Sequence, residues 1–274
     1  QAGMIDLENL GMATQATIDL DKLIHRPHGI ILVTGPTGSG KTTTLHSALA
    51  HVNKPNVKIW TAEDPVEFNF KGINQVNVNT EVGMTFAAAL RAFLRQDPDI
   101  IMVGEIRDSE TANIAVQAAL TGHRVLSTLH TNDSPGAITR FVDMGVEPFL
   151  ISSSVLAVAA QRLVRVLCDN CKKAYKPSTI YLQSIGVSPN HFKERHIYKA
   201  AGCEKCIGTG YSGRLGIFEF MVLTERLKNL ILETFDSNQI QMEARREKMM
   251  SLRQDGIQKV LNGITTIEEV LRVT

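Results

Sequence analysis

Gly35-Pro36-Thr37-Gly38-Ser39-Gly40-Lys41-Thr42 has the spacing G-x-x-x-x-G-K-[ST], the pattern of a phosphate-binding loop. Its glycines let successive backbone N–H groups turn inward on an anion, and a helix N-terminus behind them adds partial positive charge. Lys41 is expected to reach the β- and γ-phosphates of a nucleotide. The Thr42 hydroxyl is expected to ligate Mg²⁺, with Thr43 next to it among the nucleotide contacts. The loop by itself implies binding and leaves the reaction open. Hydrolysis also needs an acid near Mg²⁺ and a residue that orients water.

Two acidic segments answer that need. Thr61-Ala62-Glu63-Asp64-Pro65-Val66-Glu67 follows a strand-like run, and ligands of open α/β sheets sit at strand C-terminal ends. Glu63 is the candidate for polarising the attacking water; the competing reading is a surface acidic turn around Pro65. Ile100-Ile101-Met102-Val103-Gly104-Glu105 is an apolar strand ending in an acid, with Gly where Asp is usual. Glu105 is therefore expected to act through a water on Mg²⁺, or else to cap the next helix. His130, at the end of Arg124–Leu129, is a candidate γ-phosphate sensor. Arg91 and Arg95 lie four apart, so they share a face if helical. They would meet transition-state charge in the site or across a subunit boundary, or form a solvated face.

Cys168-x-x-Cys171 and Cys203-x-x-Cys206 make a second constellation. Four thiolates suit tetrahedral Zn²⁺, with no open position, so the metal's role would be folding. A redox C-x-x-C is the rival, but it explains one such pair better than two. The 31 residues between the pairs exceed the usual ribbon spacing, so the insert must carry structure of its own.

These residues require strands that end at one edge and helices that start there. Gly29–Thr34 reads as a buried parallel strand and Lys41–His51 as the helix after the loop. Val57–Thr61, Asp99–Val103 and Arg124–Leu129 read as further strands, and Asn74–Asn79 as a half-buried or edge strand. Phe86–Leu94 and Ser109–Thr121 read as helices, the second with Ser109 as N-cap; Ser134-Pro135 opens another. Alternating elements of this length predict an α/β fold with a mostly parallel sheet over residues 25–166. Residues 167–222 form the tetracysteine module with a return strand, 223–274 a helical region, and 1–24 a leading segment. With 274 residues, 43% hydrophobic and 21% charged, the chain can bury a core and is not disordered. It has no run of 18 apolar residues and no signal-peptide pattern. A net charge of +1, with 10 Phe, 4 Tyr and 1 Trp, argues against a nucleic-acid translocase or packaging ATPase, the main alternative. A nucleotide-dependent binding module without turnover is a third reading.

The chain resembles the assembly and secretion ATPases of type II secretion and type IV pilus systems. The resemblance rests on the loop Gly35–Thr42, the segment Thr61–Glu67, Leu90-Arg91-x-x-Leu94-Arg95-Gln96-Asp97-Pro98-Asp99, Val103–Asp108 and Thr121-Gly122-His123-x-x-x-Ser127-Thr128-Leu129-His130-Thr131-Asn132. In that order they match the family's Walker A, Asp box, Walker B and His box, and the Gly-Glu ending of Walker B is a family trait. The resemblance implies a RecA-like P-loop NTPase core with a tetracysteine zinc module and C-terminal helices. It implies Glu63 as catalytic base, a Mg²⁺/water role for Glu105, and His123 among the nucleotide-binding residues. ATP, Mg²⁺ and Zn²⁺ are the implied cofactors. A hexamer, an inner-membrane platform protein and no nucleic acid are the implied partnerships, with a cytoplasmic location peripheral to the inner membrane. The tetracysteine module points to an extension or secretion motor rather than a retraction motor. The chain lacks an initiator Met, and Asp6–Met12 resembles the end of the family's N-terminal subdomain. The chain is therefore expected to be the C-terminal ATPase portion, without the arginines that the preceding domain often contributes.

Overall fold

The computed structural model describes residues 5–192 and 195–274, so the start of the leading segment, Gln1–Met4, lies outside the described residues. Six strands run parallel: β1 (Gly29–Thr34), β2 (Ile59–Glu63), β3 (Ile73–Asn77), β4 (Ile100–Val103), β5 (Arg124–Leu129) and β6 (Val155–Leu167). Two short strands, β7 (Lys173–Tyr175) and β8 (Ile197–Lys199), pair only with each other. β9 (Tyr211–Val222) then returns antiparallel to β6, completing a sheet ordered β3-β2-β4-β5-β1-β6-β9.

The strand residues are apolar on both faces because helices cover both. Along β1, Ile30 and Leu32 pack on one side, and Ile31 and Val33 on the other. The second side is covered by α1 (Thr14–Ile24) and α2 (Lys41–Val52) through Leu20, Leu23, Leu45 and Leu49. The first is covered by α3 (Phe86–Phe93), α4 (Ser109–Leu120), α5 (Ser134–Asp143) and α6 (Pro148–Ser154). Helix α7 (Thr179–Ser184) lies in the cysteine insert. Of the last four, α8 (Glu225–Glu233) and α9 (Ser237–Arg246) join the α3–α6 layer through Leu227, Ile231, Ile240 and Ala244. Helices α10 (Leu252–Leu261) and α11 (Ile267–Val273) pack with the insert through Ile257, Val260, Ile267 and Val270 against Leu182, Val187, Phe192 and Ile197. Among the described residues no helix is long and apolar enough to cross a membrane.

Three differences from the sequence reading bear on the site and the cysteine module. β2 starts at Ile59 rather than Val57, because the Lys58 N–H donates to Asp99 Oδ2 (2.7 Å) in a loop contact. The shift makes Glu63 the last strand residue and buries it. The N-cap of α4 is Asp108 rather than Ser109, since Asp108 Oδ1 accepts from Thr111 N–H at 2.7 Å. The return strand β9 belongs to the core sheet, so the cysteine module is an insertion at the tip of the β6–β9 pair.

Candidate functional site

The phosphate loop joins the C-terminal end of β1 to α2. Gly35, Gly38 and Gly40 have φ of +148°, +78° and +88°, so the loop needs residues without a side chain. At Gly35 a Cβ would also lie 2.5 Å from the Gln161 carbonyl oxygen. Gly40 precedes α2 without a side-chain cap, leaving the first N–H groups of the helix directed at the cleft. The Ser39 hydroxyl is buried there with no partner in the protein. Thr37, Gly38, Gly40, Lys41, Thr42 and Thr43 line a cleft of ≈ 560 Å³, and Pro36 is exposed beside it. Lys41 folds back so that Nζ donates to the carbonyls of Gly35 (2.8 Å) and Pro36 (3.0 Å). Burial pushes its pKa down despite the nearby charge of Glu105, and Arg162 adds to the effect. An orphaned hydroxyl, free helix N–H groups and a lysine held by weak carbonyl acceptors suit an arriving polyphosphate, and the exposed Thr42 hydroxyl suits its Mg²⁺.

Across the cleft stand the two strand-end acids. Glu63 is 3% exposed and accepts three hydrogen bonds. Thr61 Oγ1 (2.6 Å) and Gln75 Nε2 (3.0 Å) donate to Oε1, and His46 Nε2 (2.9 Å) donates to Oε2. Burial alone would raise its pKa, but those donors, led by His46, outweigh burial and hold it below the usual carboxylate value. Glu63 is therefore a built, ionised group, and the surface-turn reading applies only to the exposed Asp64, Pro65 and Glu67. Glu105 leaves β4 after Gly104, where a Cβ would sit 3.2 Å from the Ala62 carbonyl and 3.4 Å from the Phe86 ring. That crowding explains Gly at the position where Asp is usual. Glu105 pairs with Arg107 (2.6 Å) and with His130 Nε2 (3.2 Å), and all three line the cleft.

Three expected site residues lie elsewhere. Arg91 pairs with Glu110 on the exposed outer face of α3 and α4. α3 ends at Phe93, so Arg95 sits in the turn beyond it, exposed and outside the cleft. His123 precedes β5, and its backbone carbonyl accepts from Gly29 N–H at the start of β1. It therefore lies at the opposite sheet edge, roughly 20 Å from the phosphate loop by strand rise. Its Nδ1 faces the Ala118 carbonyl at 3.0 Å, which makes it a helix-end contact rather than part of this cleft. His123 and His130 flank β5, one at each end of the strand.

Sequence reasoning missed His46, Gln75, Arg107, Gln161, Arg162 and Arg214. Gln161 Oε1 accepts from Thr44 Oγ1 (2.8 Å) beneath the loop, and Arg162 donates to the Asn132 carbonyl (2.7 Å) behind it. The only signal was weak: His46 falls among the buried positions of α2 beside Leu45, Ala48, Leu49 and Val52, but Thr44 and Ser47 are buried there too.

The four cysteines converge. Sγ–Sγ distances are 3.9 Å for Cys168–Cys203, 3.8 Å for Cys171–Cys206 and 3.7 Å for Cys203–Cys206. The edge of a tetrahedron with Zn–S bonds of ~2.3 Å is about 3.8 Å. Asn170 Nδ2 donates to Cys203 Sγ (3.3 Å), and the N–H groups of Cys203 (3.2 Å) and Gly210 (3.1 Å) donate to Cys206 Sγ. The Asn170 amide and the Cys206 N–H hold the Cys203 thiol down to about 6, while burial pushes Cys171 up to about 11. The four sulfurs could hold one tetrahedral ion.

The family model described as "Type II/IV secretion system protein" matches residues 1–272. The chain is 54% identical over 274 residues to the type II secretion system protein E of Pseudomonas aeruginosa, covering 100% of this chain and 54% of that protein. It is 51% identical to the type IV pilus assembly ATPase PilB of Thermus thermophilus, covering 98% of this chain and 30% of that protein. The chain thus spans about half the length, or less, of these relatives. Among solved structures, the pilus retraction motor PilT with bound ADP superposes with a TM-score of 0.74 at 31% identity, over 100% of this chain and 68% of that one. The ATPase DotB of Legionella pneumophila shares the fold with a TM-score of 0.70 at 24% identity, over 98% and 65%.

Proposed function

This chain belongs to the type II/IV secretion system protein family, and from that premise we propose that it is the ATP-hydrolysing core of a motor. The motor would drive type IV pilus extension or pseudopilus assembly in type II secretion. The observation that carries the reading is the ionised Glu63, held by three hydrogen bonds and facing the phosphate loop across the cleft.

The loop N–H groups and Lys41 bind the phosphates, Lys41 exchanging its carbonyl acceptors for them. Thr42 would hold Mg²⁺, which would offset phosphate charge, and Glu105 would act on the same side. Glu63 orients a water. The water oxygen bonds to the γ-phosphorus as the bond to the β–γ bridging oxygen breaks; one water proton stays on the phosphate and the other passes to solvent. His130, hydrogen-bonded to Glu105, senses the γ-phosphate. Arg91 and Arg95 lie outside their own cleft and would act across a subunit boundary. The working form would be a homo-oligomer, taken as a hexamer, that engages an inner-membrane platform protein from the cytoplasmic side, as the family resemblance implies. The cysteine cluster would hold one structural Zn²⁺.

The test is hydrolysis and nucleotide binding by the full-length protein. Glu63→Gln is expected to lower kcat about 100-fold or more while ATP binding persists, and Lys41→Ala to lose binding. Wild-type turnover in Glu63→Gln would remove the reading.

A further inference from the structure

His46 lies on α2, five residues after Lys41, and is 5% exposed. No family motif quoted above contains it. Its Nε2 is 2.9 Å from Glu63 Oε2 across the α2–β2 packing, with both side chains buried. A carboxylate can only accept, so Nε2 carries the proton. On the other side, the ring meets Phe70 edge-on at 4.8 Å, which restricts its rotation. The remaining donors to Glu63 both go to Oε1, from Thr61 and Gln75. A carboxylate oxygen has two acceptor sites, so Oε1 is saturated and Oε2 keeps one free.

We propose that His46 is a positioning residue for hydrolysis: its Nε2–H locks the Glu63 carboxylate so that the one free acceptor site, on Oε2, is offered to the attacking water. The inference rests on the reading of Glu63 given above. It also ties the phosphate loop to the water site, because His46 and Lys41 share one helix. A phosphate that moves Lys41 acts on the same rigid element that holds Glu63. Glu63 then serves as a water-orienting acceptor rather than as a strong base, since its donors keep it ionised. Besides His46, which bonds it from α2, the charged and titratable groups lining the same cleft are Asp64 and Glu67 from its own segment, Lys41 from α2, Glu105, Arg107 and His130 from the ends of β4 and β5, and Arg214 from β9.

The test uses full-length protein carrying His46→Phe, His46→Gln, Glu63→Gln and the His46→Phe/Glu63→Gln double change. Phe fills the volume and can pack on Phe70 but donates nothing; Gln restores an N–H donor. His46→Phe is expected to lower kcat about 10–100-fold with KM and ATP affinity within about twofold. His46→Gln should recover at least part of that loss. The double variant should be no slower than Glu63→Gln alone, because His46 acts through Glu63. The acid limb of the kcat–pH profile should move upward in His46→Phe, as the carboxylate loses its leading donor. Wild-type kcat in His46→Phe, or a loss carried by ATP affinity instead of kcat, would overturn the positioning role. Full turnover in Glu63→Gln would overturn the Glu63 reading and this inference with it, whereas an inactive Glu63→Gln beside an active His46→Phe overturns the inference alone.

Discussion

Glu63 illustrates how far a side chain's chemistry depends on residues distant in sequence. Its type and place after an apolar run were legible. Its ionisation was not, since that depends on His46, 17 residues before, and Gln75, 12 residues after. The sign of the pH effect follows. The role requires the deprotonated form, and the donors hold the pKa below its ordinary value of 4.5. Turnover should therefore lose nothing to Glu63 between neutrality and about pH 5, as a kcat–pH profile taken with a folding control would read. Gly35 offers a separate test. A Cβ there meets the Gln161 backbone carbonyl at 2.5 Å, with φ at +148°. Backbone cannot swing aside as a flexible side chain can. Gly35→Ala should lower ATP affinity more than tenfold and cost about 2 kcal/mol of stability, measured by nucleotide titration and denaturant melts.

At the scale of elements, hydrophobic periodicity located β1, α2, β3, β4, α4 and β5 to within about two residues. The shift of β2 was decided by a loop contact, the bond from Lys58 N–H to Asp99, which periodicity does not encode. The last helix shows a similar dependence. Glu269, on α11, is buried against β6, where it accepts from the Arg165 N–H and side chain and from Arg272. Burial opposes its charge, but these donors prevail and set its pKa at about 2. A depressed carboxylate contributes stability above its unfolded pKa and loses it as pH falls through the folded one. Glu269→Gln should therefore be less stable than wild type near neutrality, by about 2 kcal/mol. The gap should close as pH falls from about 4.5 toward about 2, which parallel acid melts would detect.

Across the whole molecule, the cysteine module is tied to the C-terminal helices rather than hanging from the sheet. Leu182, Val187, Phe192 and Ile197 of the insert share a core with Ile257, Val260, Ile267 and Val270. Metal analysis should find about one Zn per chain, and Cys203→Ser should lose it. Hydrogen exchange in that variant should rise across residues 168–210 and in α10 and α11, with β1, β4 and β5 still protected. A metal-free protein with wild-type protection in the module would refute the zinc reading. The phosphate loop, the pairing of cysteines in two knuckles and the α/β alternation are legible in the chain's residues, because each depends on neighbours a few residues apart. Which groups share the cleft is a property of the folded molecule. It joined His46 and Gln75 to Glu63, joined Arg107 and His130 to Glu105, and sent His123 to the far edge and Arg91 to the outer face. Strand direction and register set those neighbours. They follow from packing both faces of one sheet, a global condition that no local spacing contains.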